Sequence, residues 1–518
     1  MLVTAVLLAL TLGLVTALFI WRRNHFNYFK KLGIPGPEPS LIWGNLVEYH
    51  SMESYKVLGK WIEKYGNTFG FFNGDAPFIV TNDLDFIEYV FVRNFQNFVD
   101  RGFTMMTDQM HPVLGKSVMH VGGLEWKNIR STVSCSMSAA KLKLMMPHLE
   151  ENADIFIKSL EEYADTGREV HMMPKFEQLS MDYTARGAFG IEEHFQGQPD
   201  HPLIKLGKSV FRGIMKGPLH MIAQSTTKLR RWMKPFYWFT VLIGDFTFEK
   251  LGKETTKIIA MRKEDPTLRK PDILQNLIDA EYANNTAERS SARNSNGFSP
   301  AKKASAHAIA TSASVVFIGG FETTSTALCY IAFTLAKYPD IQEKLRGEVL
   351  EALSTSGTLD YETVMRKMKY LGHVLDETLR LYSPGLLFVT RQAKEDFEYN
   401  GIPFKAGTAF MVSQYHLQRD PQYWPNAEEF DPERLGDCRF APENEALLRK
   451  TAHVPFGIGP RNCVGRRLAL LNLKYTAARM VQKYRLELGK SQMGSMEIGA
   501  YGMVSTPARG PWIKFYRV

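Results

Sequence analysis

One thiol set among glycines constrains this 518-residue chain more than any other feature. Cys463 lies in Phe456-Gly457-Ile458-Gly459-Pro460-Arg461-Asn462-Cys463-Val464-Gly465, a loop whose composition suits a thiolate that holds haem iron. Gly457 and Gly459 admit positive φ and a close approach to a flat macrocycle, and Gly465 leaves space beside the sulfur. An apolar run from Leu468 to Tyr475 predicts a following helix, whose N-terminal dipole and free amides favour an anion at the sulfur. Amides that donate to the sulfur also set how much electron density it passes to a metal. Arg461 is placed to pair with a haem propionate. The competing reading, a small buried apolar side chain, is the one adopted for Cys135, Cys329 and Cys438. There is no Cys-x-x-Cys pair for zinc and no evenly spaced disulfide framework.

This segment resembles the haem-binding loop of the cytochrome P450 family, Phe-x-x-Gly-x-Arg-x-Cys-x-Gly, through Phe456, Gly459, Arg461, Cys463 and Gly465. The resemblance implies a mainly α fold with small β-sheets and haem b (iron protoporphyrin IX) as cofactor, with Cys463 as axial ligand. Five more segments agree with it. A predicted helix over Ser312–Lys337 carries Gly319-Gly320-Phe321-Glu322-Thr323-Thr324, where two adjacent glycines cost roughly 1 kcal/mol each relative to alanine. A bulge there makes room for a diatomic ligand, and Thr323 and Glu322 supply a hydrogen bond and a proton route. The pattern is similar to the family's oxygen-binding helix, with Gly319 where alanine is commoner. Close helix packing is the plainer use of the glycines.

Glu377 and Arg380 fall on one face of a predicted helix, a spacing that is usually a solvated pair. The resemblance makes them the family's buried Glu-x-x-Arg, joined by Arg434 from Phe430-Asp431-Pro432-Glu433-Arg434-Leu435, with a structural role. Trp126 and Arg130, four residues apart on a helical face, match its Trp-x-x-x-Arg and are expected to hold one propionate; Arg391 aligns with a further propionate arginine. Because residues from 126 to 465 must reach one cofactor, the length is read as one catalytic domain rather than about three.

Leu2 to Trp21 are uncharged, long enough as a helix to cross roughly 30 Å of hydrocarbon. Arg22, Arg23, Lys30 and Lys31 follow and no basic residue precedes, so the positive-inside rule predicts a single-pass anchor with everything after it cytosolic. A cleaved signal peptide fits less well, lacking its basic leading region. Gly33-Ile34-Pro35-Gly36-Pro37-Glu38-Pro39 reads as a stiff hinge. The expected divisions are 1–23 as transmembrane anchor, 24–40 as hinge and 41–518 as catalytic domain.

Two short strands, Thr68–Phe72 and Ala76–Thr81, are predicted as a hairpin. Helical spacing marks Trp61–Tyr65, Leu142–Tyr163, Phe176–Phe189 and Asp340–Leu353; β signals mark Leu387–Arg391, Phe397–Phe404 and Ala409–Gln414. The polar stretch from Asn285 to Lys303 reads as a loop. Composition is that of a globular protein, with 45% hydrophobic and 23% charged residues. A net charge of +9 suits an anionic membrane or an acidic protein partner, and no motif supports nucleic-acid binding.

The resemblance implies a monooxygenase, an oxidoreductase acting on paired donors that places one atom of O2 in a hydrophobic small molecule such as a xenobiotic, steroid or fatty acid. Electrons then come from an NADPH-dependent cytochrome reductase, possibly with cytochrome b5; the chain has no dinucleotide-binding glycine motif after a strand. Lys127, Lys141, Lys143, Arg466, Arg467 and Lys474 are expected near the thiolate face, as a docking surface or simply a solvated basic one. Phe103, Met105, Met106, Met110, Val113, Val118 and Met119 are candidates for the pocket roof, or for ordinary core. The animal microsomal branch is most similar by eye, implying an endoplasmic reticulum membrane. The competing functions are a haem-thiolate isomerase of lipid peroxides, which needs no proton relay, and a non-catalytic haem protein.

Overall fold

The computed structural model describes residues 2–102, 114–213, 218–227, 232, 235, 247–270, 272–279, 306–436, 451–492, 494–501 and 503–518. The predicted loop from Asn285 to Lys303 and the roof candidates Phe103, Met105, Met106, Met110 and Val113 lie outside them.

Helix α1 (Leu2–Phe26) is continuous and exposed along its length, with only its last residue, Phe26, buried. It is long and apolar enough to cross a membrane. Its C-terminal turn is built into the folded body. Arg22 donates to the carbonyls of Leu41 (2.8 Å), Ile42 (2.6 Å) and Ser225 (3.1 Å), and His25 Nε2 lies 2.7 Å from the carbonyl oxygen of Asp75. The Phe26 ring meets Phe72 edge-on at 4.9 Å. The Pro/Gly segment that follows is docked as well: Gly70 donates to Pro35 O at 2.8 Å, and a Cβ on Gly36 would come within 1.9 Å of Gly70 O.

After α2 (Ser54–Tyr65), β1 (Thr68–Asn73) and β2 (Ala76–Thr81) form the expected antiparallel hairpin, turning at Gly74 with φ +71°. Helices α3 (Gly123–Ser136) and α4 (Ala139–Lys158), strand β3 (Val170–His171), and helices α5 (Met172–Phe189), α6 (Pro218–Ser225), α7 (Ala306–Lys337), α8 (Pro339–Ser356) and α9 (Lys369–Leu381) come next. Then follow β4 (Thr390–Gln392), β5 (Phe397–Tyr399), β6 (Ile402–Phe404), β7 (Ala409–Met411), α10 (Arg466–Lys483), β8 (Tyr484–Leu488), β9 (Ile498–Tyr501), β10 (Val504–Pro507) and β11 (Trp512–Arg517). β2 pairs in parallel with β7, and β7 antiparallel with β4, so one sheet joins segments over 300 residues apart. A sheet assembled that way cannot be cut into sequential domains.

Helix α7 forms the spine of the core: from Ala327 to Leu335 every residue is buried, against α5, α10 and β8. It is also apolar enough to span a membrane, but it lies mostly inside the protein. The bulge expected at Gly319-Gly320 is not formed; α7 runs unbroken through it. The second glycine is required by packing, because a Cβ on Gly320 would come 3.0 Å from Thr184 Oγ1 on α5, whereas Gly319 faces open space. The expected strand over Leu387–Arg391 is confined to β4, since Phe388 and Val389 line a cavity and only the next residues meet β7. The C-terminal strands β8 to β11 carried no sequence signal strong enough to predict them.

Glu377 and Arg380 on α9 are 0% exposed. Arg380 Nε and Nη2 donate to the two Glu377 carboxylate oxygens at 2.8 and 2.9 Å, and Arg434 Nε donates to Oε1 at 3.0 Å. The remaining guanidinium hydrogens reach backbone carbonyls: Arg380 those of Gln418 and Ala427 (both 2.7 Å), Arg434 that of Pro425 (2.6 Å). Burial is tolerated because nearly every donor finds a partner.

Candidate active site

Cys463 sits in the turn leading into α10, whose N-cap is Gly465. Gly457 (φ +75°) and Gly459 (φ +69°) are left-handed, as expected, and a Cβ on Gly459 would run into Phe91 O. Gly465 has no atom within 4 Å of a would-be Cβ, so the space beside the sulfur is open. The Cys463 amide donates to Phe456 O at 2.7 Å and closes the loop.

The loop is one wall of a cavity of about 270 Å³. Cys463, Arg461 and Phe456 line it together with Trp126 and Arg130 from α3 and Gly319, Gly320, Thr323 and Thr324 from α7. Val118 and Met119, the two roof candidates that are described, line it too. Thr323 Oγ1 donates to Gly319 O at 2.6 Å, so its proton is engaged and its free lone pair is available to accept. Glu322 is half-buried beside this wall and is not a lining residue.

Cys463 is exposed to the cavity, yet enclosure by the surrounding protein pushes its thiol up, against the Gly465 amide and the guanidiniums of Arg130, Arg101 and Arg466, which pull it down. The expected helix N-terminal stabilisation is therefore present, but desolvation outweighs it in the protein alone. A coordinating metal reverses that balance outright.

Arginines gather beside the sulfur. Arg461 is stacked with Cζ 4.6 Å from the Trp126 ring and donates to Val121 O. Arg391, behind the wall, donates to Thr390 O (2.7 Å) and Ile458 O (2.9 Å) and does not itself line the cavity. Arg130 is held differently from the expected propionate clamp: its two Nη atoms grip Asn462 O at 2.6 Å and Asn462 Oδ1 at 2.7 Å, fixing the peptide before Cys463. Arg101 is a fourth member that sequence reasoning missed; it donates to Phe388 O at 2.6 Å. No local spacing links Arg101 to the loop, so only the tertiary fold brings it there.

These cations depress one another. Burial and Arg130 draw Arg101 down to about 10, and burial and Arg101 draw Arg461 down to about 9. Arg391 is lowered further by burial and its three neighbours. Arg130, Arg391 and Arg461 make no ion pair with a carboxylate among the described residues, and Nε of Arg391 and of Arg461 are buried without a partner. Such a cluster is costly unless an anionic group compensates it. A dianionic macrocycle with a metal for the thiol meets that need, so the residues present fit a haem.

The sequence model of the cytochrome P450 family matches residues 34–515. The chain belongs to the cytochrome P450 family. Similar relatives include cytochrome P450 3A14 of Cavia porcellus, 32% identical over 98% of this chain and 95% of the relative. Cytochrome P450 3A1 of Rattus norvegicus is 32% identical over 97% and 94%, and cytochrome P450 3A16 of Mus musculus 33% over 93% and 91%. This P450 is accordingly a monooxygenase of a family that binds haem b through a cysteine thiolate and uses O2, a hydrophobic substrate and a redox partner.

The basic surface is smaller than expected. Lys474 is buried, with Nζ 3.4 Å from Met368 O and its pKa lowered by burial, and Lys143 pairs with Glu362 at 2.6 Å. Its position on the inner face of α10 removes Lys474 from any docking surface. Lys127, Lys141, Arg466 and Arg467 remain exposed.

Proposed function

We propose that this P450 oxidises a hydrophobic small molecule, a xenobiotic, steroid or fatty acid, with Cys463 as the axial thiolate of haem b. The observation that carries the reading is that the Cys463 thiol and the Thr323 hydroxyl are walls of one mainly apolar cavity. Bound there, haem b supplies activation of O2. Gly457 and Gly459 would let the loop backbone lie against the macrocycle with Phe456 beside it, Arg101, Arg461 and, from behind, Arg391 would neutralise the propionates, and Trp126 would offer its indole N–H as a neutral donor. Arg130 contributes charge while holding the Asn462 peptide in place. Thr323, with its own proton on Gly319 O, would accept a hydrogen bond from a donor in the cavity, and Glu322, half-buried beside that wall, would be the source of protons delivered to the cavity. Glu377, Arg380 and Arg434 keep α9 and the loop in register and take no part in the chemistry.

The redox partner is an NADPH-dependent cytochrome reductase, with cytochrome b5 as a second donor, meeting the exposed Lys127, Lys141, Arg466 and Arg467. Helix α1 is a single-pass anchor in the endoplasmic reticulum membrane, residues 1–23 spanning, 24–40 connecting and 41–518 catalytic in the cytosol. The test is the reduced carbon monoxide spectrum of the purified holoprotein. The wild type should show the thiolate band, and Cys463→Ser should lose both the band and NADPH-dependent oxygenation; retained turnover would sink the assignment. Conversion of a lipid peroxide without NADPH, and no oxygenated product with reductase, would instead identify an isomerase.

A further inference from the structure

We propose that Ser180 is a positioning residue for Thr323, acting through the backbone of α7; this rests on the role proposed for Thr323. Ser180 lies on α5, is fully buried and does not line the cavity. Its hydroxyl donates to Phe321 O at 2.8 Å and lies 3.4 Å from Gly320 O. One turn along α5, Thr184 is so close that residue 320 can carry no Cβ without contact at 3.0 Å. On the cavity side, Thr323 donates to Gly319 O at 2.6 Å.

Three successive carbonyls of α7, at 319, 320 and 321, thus have a hydroxyl within reach in addition to the amide of the next turn. A carbonyl has two lone pairs, so each of these can take a hydroxyl as well as the helix amide, and α7 stays continuous while being held from two sides. The cavity-side contribution comes from Thr323 itself. Ser180 supplies the contribution from behind, and it is anchored on a different helix. It ties the turn that carries Thr323 to α5 and so holds the threonine oxygen at a set depth in the cavity, with its proton on Gly319 O and its lone pair forward. Gly320 lets α5 approach this closely, because a Cβ there would press on the Thr184 side chain at 3.0 Å.

The experiment uses the full-length holoprotein with reductase in bilayer discs. Its readouts are the infrared C–O stretch of the reduced carbon monoxide complex and the hydrogen peroxide released per NADPH consumed. Ser180→Ala should keep the thiolate band, move the C–O stretch, and raise the peroxide fraction by roughly two- to tenfold, the scale of one lost hydrogen bond. Added to Thr323→Ala, it should change neither readout further, because its route runs through that threonine. A silent Ser180→Ala beside a normally uncoupled Thr323→Ala, or additive effects in the double variant, overturns this inference alone. Thr323→Ala with unchanged coupling overturns the role of Thr323 as well. If Ser180→Ala does not retain haem, Ser180→Cys, of similar size but a weaker donor, should give an intermediate shift in both readouts, and wild-type values there overturn the proposal.

Discussion

His416 shows how far burial, aided by a neighbouring cation, shifts the titration of a side chain in this protein. Its Nδ1 lies 2.7 Å from Ser413 Oγ, its Nε2 packs where a Cβ on Gly59 would stand, and burial together with Arg419 lowers its pKa from 6.5 to about 4. The folded form therefore holds the neutral imidazole. As pH falls from 6.5 towards 4 the unfolded chain takes the proton first, so stability present above pH 6.5 is lost through that window and levels off below it. The loss amounts to about 3 kcal/mol at a cost of 1.36 kcal/mol per pKa unit. Urea unfolding at pH 7 and at pH 4.5 should show a smaller difference for His416→Gln than for the wild type; equal differences would mean that the imidazole is protonated in the fold. The same physics separates what residues announce from what they do. Cys463 and Arg461 stand out because their loop partners sit at fixed offsets in the chain. Arg101 has no such neighbours, and Arg130, read from its spacing to Trp126, proves to grip Asn462 because the loop arrives from the other end of the sequence.

Among the elements, α9 is tied to the chain leading to the cysteine loop by one carboxylate shared between two guanidiniums. Removing the charge of Glu377 would leave Arg380 and Arg434 buried and uncompensated, and breaking a buried network of this kind costs about 3–5 kcal/mol. Glu377→Gln should therefore lower the unfolding midpoint sharply and release haem on mild heating, while an unchanged midpoint would show that the arginines are balanced by the backbone carbonyls alone. Both ends of α8 and the C-terminal end of α7 were legible to within a few residues, whereas α7 starts at Ala306, well before the predicted Ser312. The predicted helix from Leu142 to Tyr163 begins earlier and ends at Lys158, after which the chain turns towards β3. Short strands were poorly legible, because three-residue pairings such as β4 and β7 depend on a partner elsewhere rather than on their own alternation.

At the scale of the whole molecule, the anchor and the catalytic body are joined by more than a linker. Arg22 binds three carbonyls from two separate segments, 41–42 and 225, while Phe26 and Phe29 pack into the aromatic core beneath β1. A junction of that kind fixes the direction of α1 relative to the sheet and, with α1 in the membrane as proposed, would set the orientation of the catalytic body in a bilayer. Polarised absorption of oriented bilayers should give a narrow distribution of tilt for the wild type and a broader one for Arg22→Ala; identical distributions would show that the Pro/Gly segment sets the tilt alone.

The family, and with it the haem-thiolate monooxygenase class, was determined by the sequence alone, because a thiol between glycines and a Gly-Gly-x-Glu-Thr-Thr segment are local patterns whose meaning depends on neighbours a few residues away. Tertiary structure decided the surroundings. The number of arginines near the thiol, the burial of Lys474 and the hold of Ser180 on α7 each arise between residues distant in the chain. Burial and contact at such distances depend on how helices pack, which no local spacing encodes.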